Sequence, residues 1–94
     1  MSKIGLEAIR RAARILRVIG HADRLRLVEE LERGPRTVSE LMRALRMDQV
    51  SVSKHLSVLK KEGIVDSRPS ANFRTYSIRY RNVIHVLDCL RKNA

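Results

Sequence analysis

The sequence predicts a mainly α-helical fold with one small β-hairpin, in the order four helices, two strands and a last helix. Apolar residues recur at helical spacing along most of the chain, and glycines separate the periodic segments. Alternation with a period of two is confined to two short stretches, 64–68 and 74–78, on either side of a turn-rich segment. Because 94 residues are enough for one small domain, we expect a single domain over 1–94.

The first two predicted helices are separated by Gly20. Over 4–19, apolar side chains share one face and arginines another, which is typical of an amphipathic helix. A second helix is predicted over 22–33, where Asp23 suits the positive N-terminal end and a Gly-Pro pair ends the pattern. His21 either caps this helix or lies at its junction with the first.

The third and fourth helices are predicted to follow each other closely. Thr37 or Ser39 can cap the third helix, and Glu40 stands three residues after Thr37, as in a capping box. Asp48 is a suitable N-cap for the fourth helix, which we predict over 48–62. Helical spacing predicts that Val52, Leu56 and Leu59 are its buried residues. Only a few residues separate the two helices, so a tight turn must join them.

A hairpin and a last helix complete the pattern. Two strands within 64–78 flank the segment "PSANF", which is rich in turn-forming residues. The last helix, over 81–92, carries an apolar stripe that is too large for a free surface on so small a chain. We therefore expect a homodimer whose interface is formed by the first and last helices. The expected interface residues are Ile9, Leu16, Val83, Val86, Leu87 and Leu90.

The charge of the chain favours a polyanionic partner. Twenty Lys and Arg against ten Asp and Glu give a formal net charge of +10. Such an excess attracts nucleic acid through long-range electrostatics and counterion release, so double-stranded DNA is the leading candidate. The alternative is a basic solvated surface that has no specific partner.

Several classes of protein are disfavoured. The single cysteine, Cys89, excludes a disulfide framework and a Cys-rich zinc site within one chain. No apolar run is long enough to span a bilayer and no signal-peptide pattern is present, so we expect a cytoplasmic protein without a membrane partner. Paired carboxylates, a Ser-His-Asp pattern and a Gly-rich phosphate loop are all missing, so we expect neither an enzyme nor a cofactor.

Two helices joined by a tight turn and followed by a hairpin form the winged helix-turn-helix order. A recognition helix enters the major groove by its N-terminal end, where side chains must pair with base edges and must not repel phosphate. The fourth helix begins "DQVSVSKH", which is polar and nearly free of acid. Gln suits adenine, Ser donates or accepts, and Lys reaches guanine or phosphate. The predicted DNA contacts of this helix are Gln49, Ser51, Ser53, Lys54 and His55.

These assignments have plainer alternatives. An ordinary exposed helix face also contains Ser and Gln, and His55 is equally suited to a structural hydrogen bond. In the wing, Arg68, Asn72 and Arg74 lie at or beside the predicted tip, where they could reach a minor groove or its phosphates.

Three segments of the chain match the pattern of a known family, namely "HADRLRLVEELERG", "VSVSKHLSVLKKEGIV" and "RTYSI", and the match extends from about Ala8 to Leu90. Through these segments the chain resembles the ArsR-like family of small dimeric winged helix-turn-helix repressors. It implies that the first and last helices form the dimer interface and that an effector releases the protein from an operator. The matching residues are Arg24, Leu25, Ser53, His55, Leu56, Leu59, Gly63, Val65 and Tyr76.

The chain departs from that family where metals are often bound. Many members carry a Cys-x-Cys pair at the start of the third helix, but the matching positions here are Thr37 and Ser39. On the last helix, His85 and Cys89 share a face, yet a surface histidine and a half-buried thiol explain them better than a metal site. We therefore predict no metal site, and the sequence identifies no effector.

The function predicted from the sequence is a sequence-specific DNA-binding transcriptional regulator. It is expected to be a dimeric repressor that binds a palindromic operator through the helix at 48–62 and the wing at 64–78. Two alternatives remain, a sequence-independent architectural DNA-binding protein and a winged-helix module that binds protein.

Overall fold

The computed structural model describes residues 4–92, in which five α-helices and a three-stranded antiparallel sheet follow the predicted order with one additional strand. The ends of the predicted domain, 1–3 and 93–94, lie outside the described residues. The helices are α1 (Leu6–Ile19), α2 (Ala22–Glu32), α3 (Val38–Leu45), α4 (Gln49–Lys61) and α5 (Val83–Lys92). The strands are β1 (Arg36–Thr37), β2 (Val65–Ser70) and β3 (Phe73–Ile78).

The predicted helix caps are confirmed. The Oγ1 atom of Thr37 accepts a 3.1 Å hydrogen bond from the Glu40 amide, and Oε1 of Glu40 accepts a 2.9 Å bond from the Thr37 amide. Thr37 rather than Ser39 is therefore the N-cap of α3. At α4, Oδ1 of Asp48 accepts a 2.8 Å hydrogen bond from the Ser51 amide, so Asp48 is the N-cap. Both caps satisfy amides that a helix leaves without an internal partner.

The sheet is small and its order is β1-β3-β2, with β3 in the centre and both pairings antiparallel. The hairpin strands extend nearer to the tip than the predicted stretches 64–68 and 74–78, which leaves Ala71 and Asn72 as the turn. Ala71 has a φ of 56°, in the left-handed region that such a turn requires. Strand β1 has no signal in the sequence, because two residues are too short to show alternation.

The core is formed by one face of every helix and by the base of the hairpin. Val52, Leu56 and Leu59 of α4 are buried as predicted, whereas on α1 the buried residues are Ile15 and Ile19. Burial of this apolar surface is the main stabilising contribution to the fold. The buried apolar residues are Ile15, Ile19, Leu27, Val28, Leu31, Leu41, Val52, Leu56, Leu59, Ile64, Val65, Ile78, Val83 and Leu87.

The assignment of Val83 and Leu87 to a dimer interface requires correction. Val83 is 1% exposed and Leu87 is 6% exposed within a single chain. Because neighbouring elements already cover both side chains, these residues stabilise the chain itself and have almost no surface left for a partner. The helical spacing identified an apolar stripe on α5 but did not distinguish the side that faces the core from the side that faces outward.

Candidate nucleic-acid interface

A short turn positions α4 against α3. Arg46 adopts the left-handed conformation, with φ 54° and ψ 48°, and its amide donates to the Met42 carbonyl at the end of α3. From α2, the guanidinium of Arg26 donates a hydrogen bond to the Leu45 carbonyl. This bond satisfies a carbonyl that the end of the helix leaves unpaired. The corner between α3 and α4 is thus held both by its own backbone and by α2.

The α4 helix has one buried and one exposed side. Its buried residues are packed in the core, while the exposed side carries Gln49, Ser53 and Lys54 at its N-terminal half. Val50 is 76% exposed on the same half and was not among the predicted contact residues. The alternating "VSVS" segment could have indicated it, because helical spacing buries only one of those two valines.

Ser51 is engaged within the chain. Its amide donates to Oδ1 of Asp48 at 2.8 Å and its hydroxyl donates to Oδ2 of Asp48 at 3.1 Å. The hydrogen bond from the Ser51 amide holds the pKa of Asp48 below its ordinary value, and the hydroxyl bond acts in the same direction. Ser51 therefore fixes the start of α4, and its partly buried side chain is directed to the cap.

His55 lies in the interior of the chain. It is 8% exposed, and its Nδ1 accepts a 3.3 Å hydrogen bond from Nε of Arg24 on α2. Its ring centroid is 4.6 Å from that of His21. Burial lowers the pKa of His55, and the charges of His21 and Arg24 act in the same direction. These contacts agree with the structural alternative for His55 rather than with a direct contact to phosphate.

His21 is the N-cap of α2, which is one of the two alternatives predicted for it. Its Nδ1 accepts a 3.2 Å hydrogen bond from the Asp23 amide, and the residue is exposed. The cap places the His21 ring beside His55 of α4. His21 and Asp23, at the start of α2, thus lie beside His55 of α4, which is more than thirty residues further along the chain.

The wing carries exposed basic and polar groups. Arg68, Asn72 and Arg74 are exposed, as their predicted role requires. Arg74 nevertheless turns toward the strand beside it, since its Nη2 and Nε donate to Oγ of Ser67 at 3.2 and 3.3 Å. The same Ser67 oxygen accepts a 2.8 Å hydrogen bond from Nζ of Lys60. The C-terminal part of α4 is therefore joined to the wing.

Phe73 is an exposed apolar residue of the wing. It lies at the start of β3 beside the turn and is 61% exposed. Apolar side chains at the tips of such elements can enter a minor groove between base steps. Phe73 was not among the predicted contact residues, because one aromatic residue inside a turn-rich segment has no periodic signal.

Further apolar side chains are exposed on α1 and α5. Ile9, Leu16 and Leu90 are 45%, 56% and 54% exposed, and Val86 is partly buried. A groove of about 250 Å³ runs between α1 and the start of α5 and includes Leu16 and Val86 in its lining. Four of the six predicted interface residues thus retain surface that a second chain could cover.

A tight helical corner, a second helix with a polar exposed half and a basic hairpin define a winged helix-turn-helix DNA-binding protein. Residues 21–67 match the family described as "Bacterial regulatory protein, arsR family". An uncharacterized HTH-type transcriptional regulator of Methanocaldococcus jannaschii is 32% identical over 87 residues, which cover 88% of this chain and 98% of that protein.

Solved structures agree with this comparison. The transcriptional repressor BigR from Xylella fastidiosa has a TM-score of 0.85 at 27% identity, with coverage of 92% of this chain and 88% of that chain. A homodimeric winged helix-turn-helix DNA-binding domain from Mycobacterium bovis has the same fold, with a TM-score of 0.80 at 23% identity and coverage of 97% and 84%.

The chain therefore belongs to the ArsR family of bacterial regulatory proteins. It is a transcriptional regulator with a winged helix-turn-helix DNA-binding fold. Within the part of the chain that the structure describes, the helices are too short or too polar to cross a membrane.

Proposed function

We propose that this regulator is a sequence-specific repressor that binds a palindromic operator as a homodimer. The observation that carries the proposal is the two-sided character of α4, whose buried side is fixed in the core while its N-terminal half is exposed and polar. A rigid helix with a free polar end suits insertion into the major groove. The whole of 1–94 acts as one domain in this proposal.

The base-reading residues in this proposal are Gln49, Ser53 and Lys54, which are all exposed. Gln49 can pair bidentately with adenine, and Lys54 can reach guanine or a phosphate. We add Val50, because an apolar side chain that is 76% exposed beside Gln49 suits contact with the methyl group of thymine. His55 has a positioning role, since its ring is hydrogen-bonded to Arg24 inside the chain.

The wing supplies contacts to the DNA backbone. Arg68 and Asn72 are exposed near the tip, where they suit phosphates or an adjacent minor groove. Arg74 contributes positive charge while its guanidinium remains bonded to Ser67. Because Lys60 also donates to Ser67, the wing and α4 are expected to meet the duplex as one rigid unit.

Dimerisation follows from the exposed apolar surface of α1 and α5. Ile9, Leu16, Val86 and Leu90 would cover one another across a twofold axis. A twofold dimer presents two recognition helices, so the operator is expected to be palindromic, with half-sites about one helical turn apart. Repression, rather than activation, is supported by the similarity to BigR, which is named a transcriptional repressor.

The proposal is tested by footprinting on the promoter of the protein's own gene and on random DNA of equal length. A bounded, twofold-symmetric protected region that survives competition by random DNA is expected. Uniform protection with a steep salt dependence would instead indicate an architectural protein. Absence of binding at low salt would favour a module that binds protein. A repressor of chromosomal promoters acts in the cytoplasm, and the proposal includes neither a catalytic step nor a cofactor.

A further inference from the structure

Three possible metal ligands lie close together between the start of α2 and the α4 helix. His21 and Asp23 belong to the start of α2 and His55 belongs to α4. Each offers one ligand atom, a ring nitrogen or a carboxylate oxygen, and these three atoms all lie within 4.8 Å of one another. No metal site was predicted from the sequence, since His21 and His55 become neighbours only in the folded chain. The DNA contacts and the dimer surface proposed above do not involve metal coordination by these three side chains.

We propose that His21, Asp23 and His55 form a binding site for a divalent transition metal of the zinc type, whose occupation breaks the hydrogen bond between Arg24 and His55. Two imidazoles and one carboxylate suit Zn²⁺ and Co²⁺ and are a poor set for Mg²⁺ or Ca²⁺, which prefer six or more oxygens. Three protein ligands leave a fourth tetrahedral position for water.

The geometry requires only side-chain movement. Metal–ligand bonds of about 2.0 to 2.2 Å place tetrahedral ligands about 3.3 to 3.6 Å apart. The present separations of at most 4.8 Å must therefore shrink by up to about 1.5 Å. His21 is exposed and Asp23 is partly buried, so both can rotate toward His55, which is held by the core.

The metal and Arg24 compete for the same imidazole. Nδ1 of His55 accepts the hydrogen bond from Arg24, so Nε2 carries the proton in the neutral ring. A metal at Nδ1 would occupy the lone pair that Arg24 uses. A metal at Nε2 would move the proton to Nδ1, where it would oppose the N–H group of Arg24. Either mode of binding therefore breaks the bond between Arg24 and His55.

Two other contacts also oppose the metal. Asp23 is paired with Arg26 at 3.2 Å, and His21 accepts the cap bond from the Asp23 amide. The nearby guanidinium charges of Arg24 and Arg26 further weaken the binding of a cation. The site is therefore expected to be weaker than a thiolate site, and occupation frees α4 from the contact that Arg24 makes with it.

The first test measures binding of Zn²⁺ and Co²⁺ to the full chain, by competition with a chromophoric chelator and by the Co²⁺ absorption spectrum. One metal per chain with nitrogen and oxygen ligands is expected. His21→Asn keeps a side-chain oxygen at the cap and removes the ligand, so it should weaken binding by about tenfold or more. Asp23→Asn should act in the same direction. His85→Asn and Cys89→Ser are the matched controls on α5 and should leave binding unchanged.

The second test uses Arg24. Arg24→Ala removes both the competing donor and a nearby positive charge, so it should strengthen Zn²⁺ binding, with circular dichroism used to confirm that the variant is folded. Arg14→Ala, on the exposed face of α1, should have no such effect. Undiminished binding in His21→Asn, or loss of binding in the α5 controls, would overturn the site. Equal or weaker Zn²⁺ binding by the folded Arg24→Ala variant would contradict the proposed competition between Arg24 and the metal for His55. Both tests are independent of DNA.

Discussion

Arg24 of α2 and His55 of α4 are joined by a hydrogen bond of 3.3 Å, from the guanidinium Nε to the imidazole Nδ1. The same guanidinium donates from Nη1 to the Val18 carbonyl near the end of α1, at 3.1 Å. One side chain therefore connects α1, α2 and the recognition helix. The buried ring of His55 would have an unsatisfied acceptor without it.

Arg24→Ala is expected to lower the free energy of unfolding by about 1 to 3 kcal/mol, because it leaves a buried acceptor and a helix-end carbonyl without their donor. Urea denaturation measures the change. Arg14→Ala is the control, since Arg14 is exposed on α1 and its loss should change stability by less than about 0.5 kcal/mol. If the two variants were equally stable, the connection through Arg24 would have no structural importance.

Stability is expected to fall as the pH is lowered below the ordinary pKa of histidine. Burial lowers the pKa of His55 in the folded chain, with His21, Arg24 and Lys54 acting in the same direction and Asp23 in the opposite one. The unfolded chain then binds a proton at a higher pH than the folded chain does. The contribution of neutral His55 is complete above the unfolded pKa of about 6.5 and is lost as the pH falls toward the folded pKa.

Urea midpoints measured between neutral pH and about pH 5, with a chelator present to exclude metal ions, test this dependence. His55→Gln retains an acceptor for Arg24 but does not titrate, so its stability should vary less with pH than that of the unmodified chain. His85→Asn replaces an exposed histidine on α5 and should keep the full dependence. An equal pH dependence in the His55→Gln variant would assign the effect to other groups.

Leu16→Glu is expected to convert the proposed dimer into monomers. Leu16 is 56% exposed on the apolar surface of α1, so a carboxylate there would be buried against a partner but is tolerated in a single chain. Sedimentation at micromolar concentration is the measurement. Val50→Glu places the same charge on an exposed valine of α4 and should remain dimeric. If the unmodified chain sediments as a monomer at that concentration, the proposed dimer interface of α1 and α5 is wrong. Leu87→Glu is unsuitable, because Leu87 is in the core.

Gln49→Ala is expected to narrow the difference in affinity between operator and random DNA, since loss of a base contact costs about 1 to 3 kcal/mol at one operator position. The slope of affinity against salt should hardly change. Lys61→Ala, at the exposed C-terminal end of α4, should lower affinity for both DNAs alike, with a slope reduced by about one unit if it contacts a phosphate. Equal losses on both DNAs for Gln49→Ala and Ser53→Ala would show that α4 does not read sequence.

The order of the longer elements and the starts of two helices could be predicted from the sequence alone. Caps act within a few residues, so Thr37 with Glu40 and Asp48 with Ser51 could be recognised from local spacing alone. The buried positions of α4 were also predicted, because helical periodicity fixes which residues share a face. The charge of the chain and the polar start of α4 indicated DNA before any contact was known.

Which side of each apolar stripe faces the core depends on how the helices pack against one another. Leu87 and Leu90 belong to the same predicted stripe, yet the first is buried and the second is 54% exposed. Periodicity gives the direction of a side chain around its own helix, while the positions of the other helices decide whether that direction leads inward. The meeting of His21 with His55 has the same origin, because residues far apart in the chain become neighbours only when α2 packs against α4.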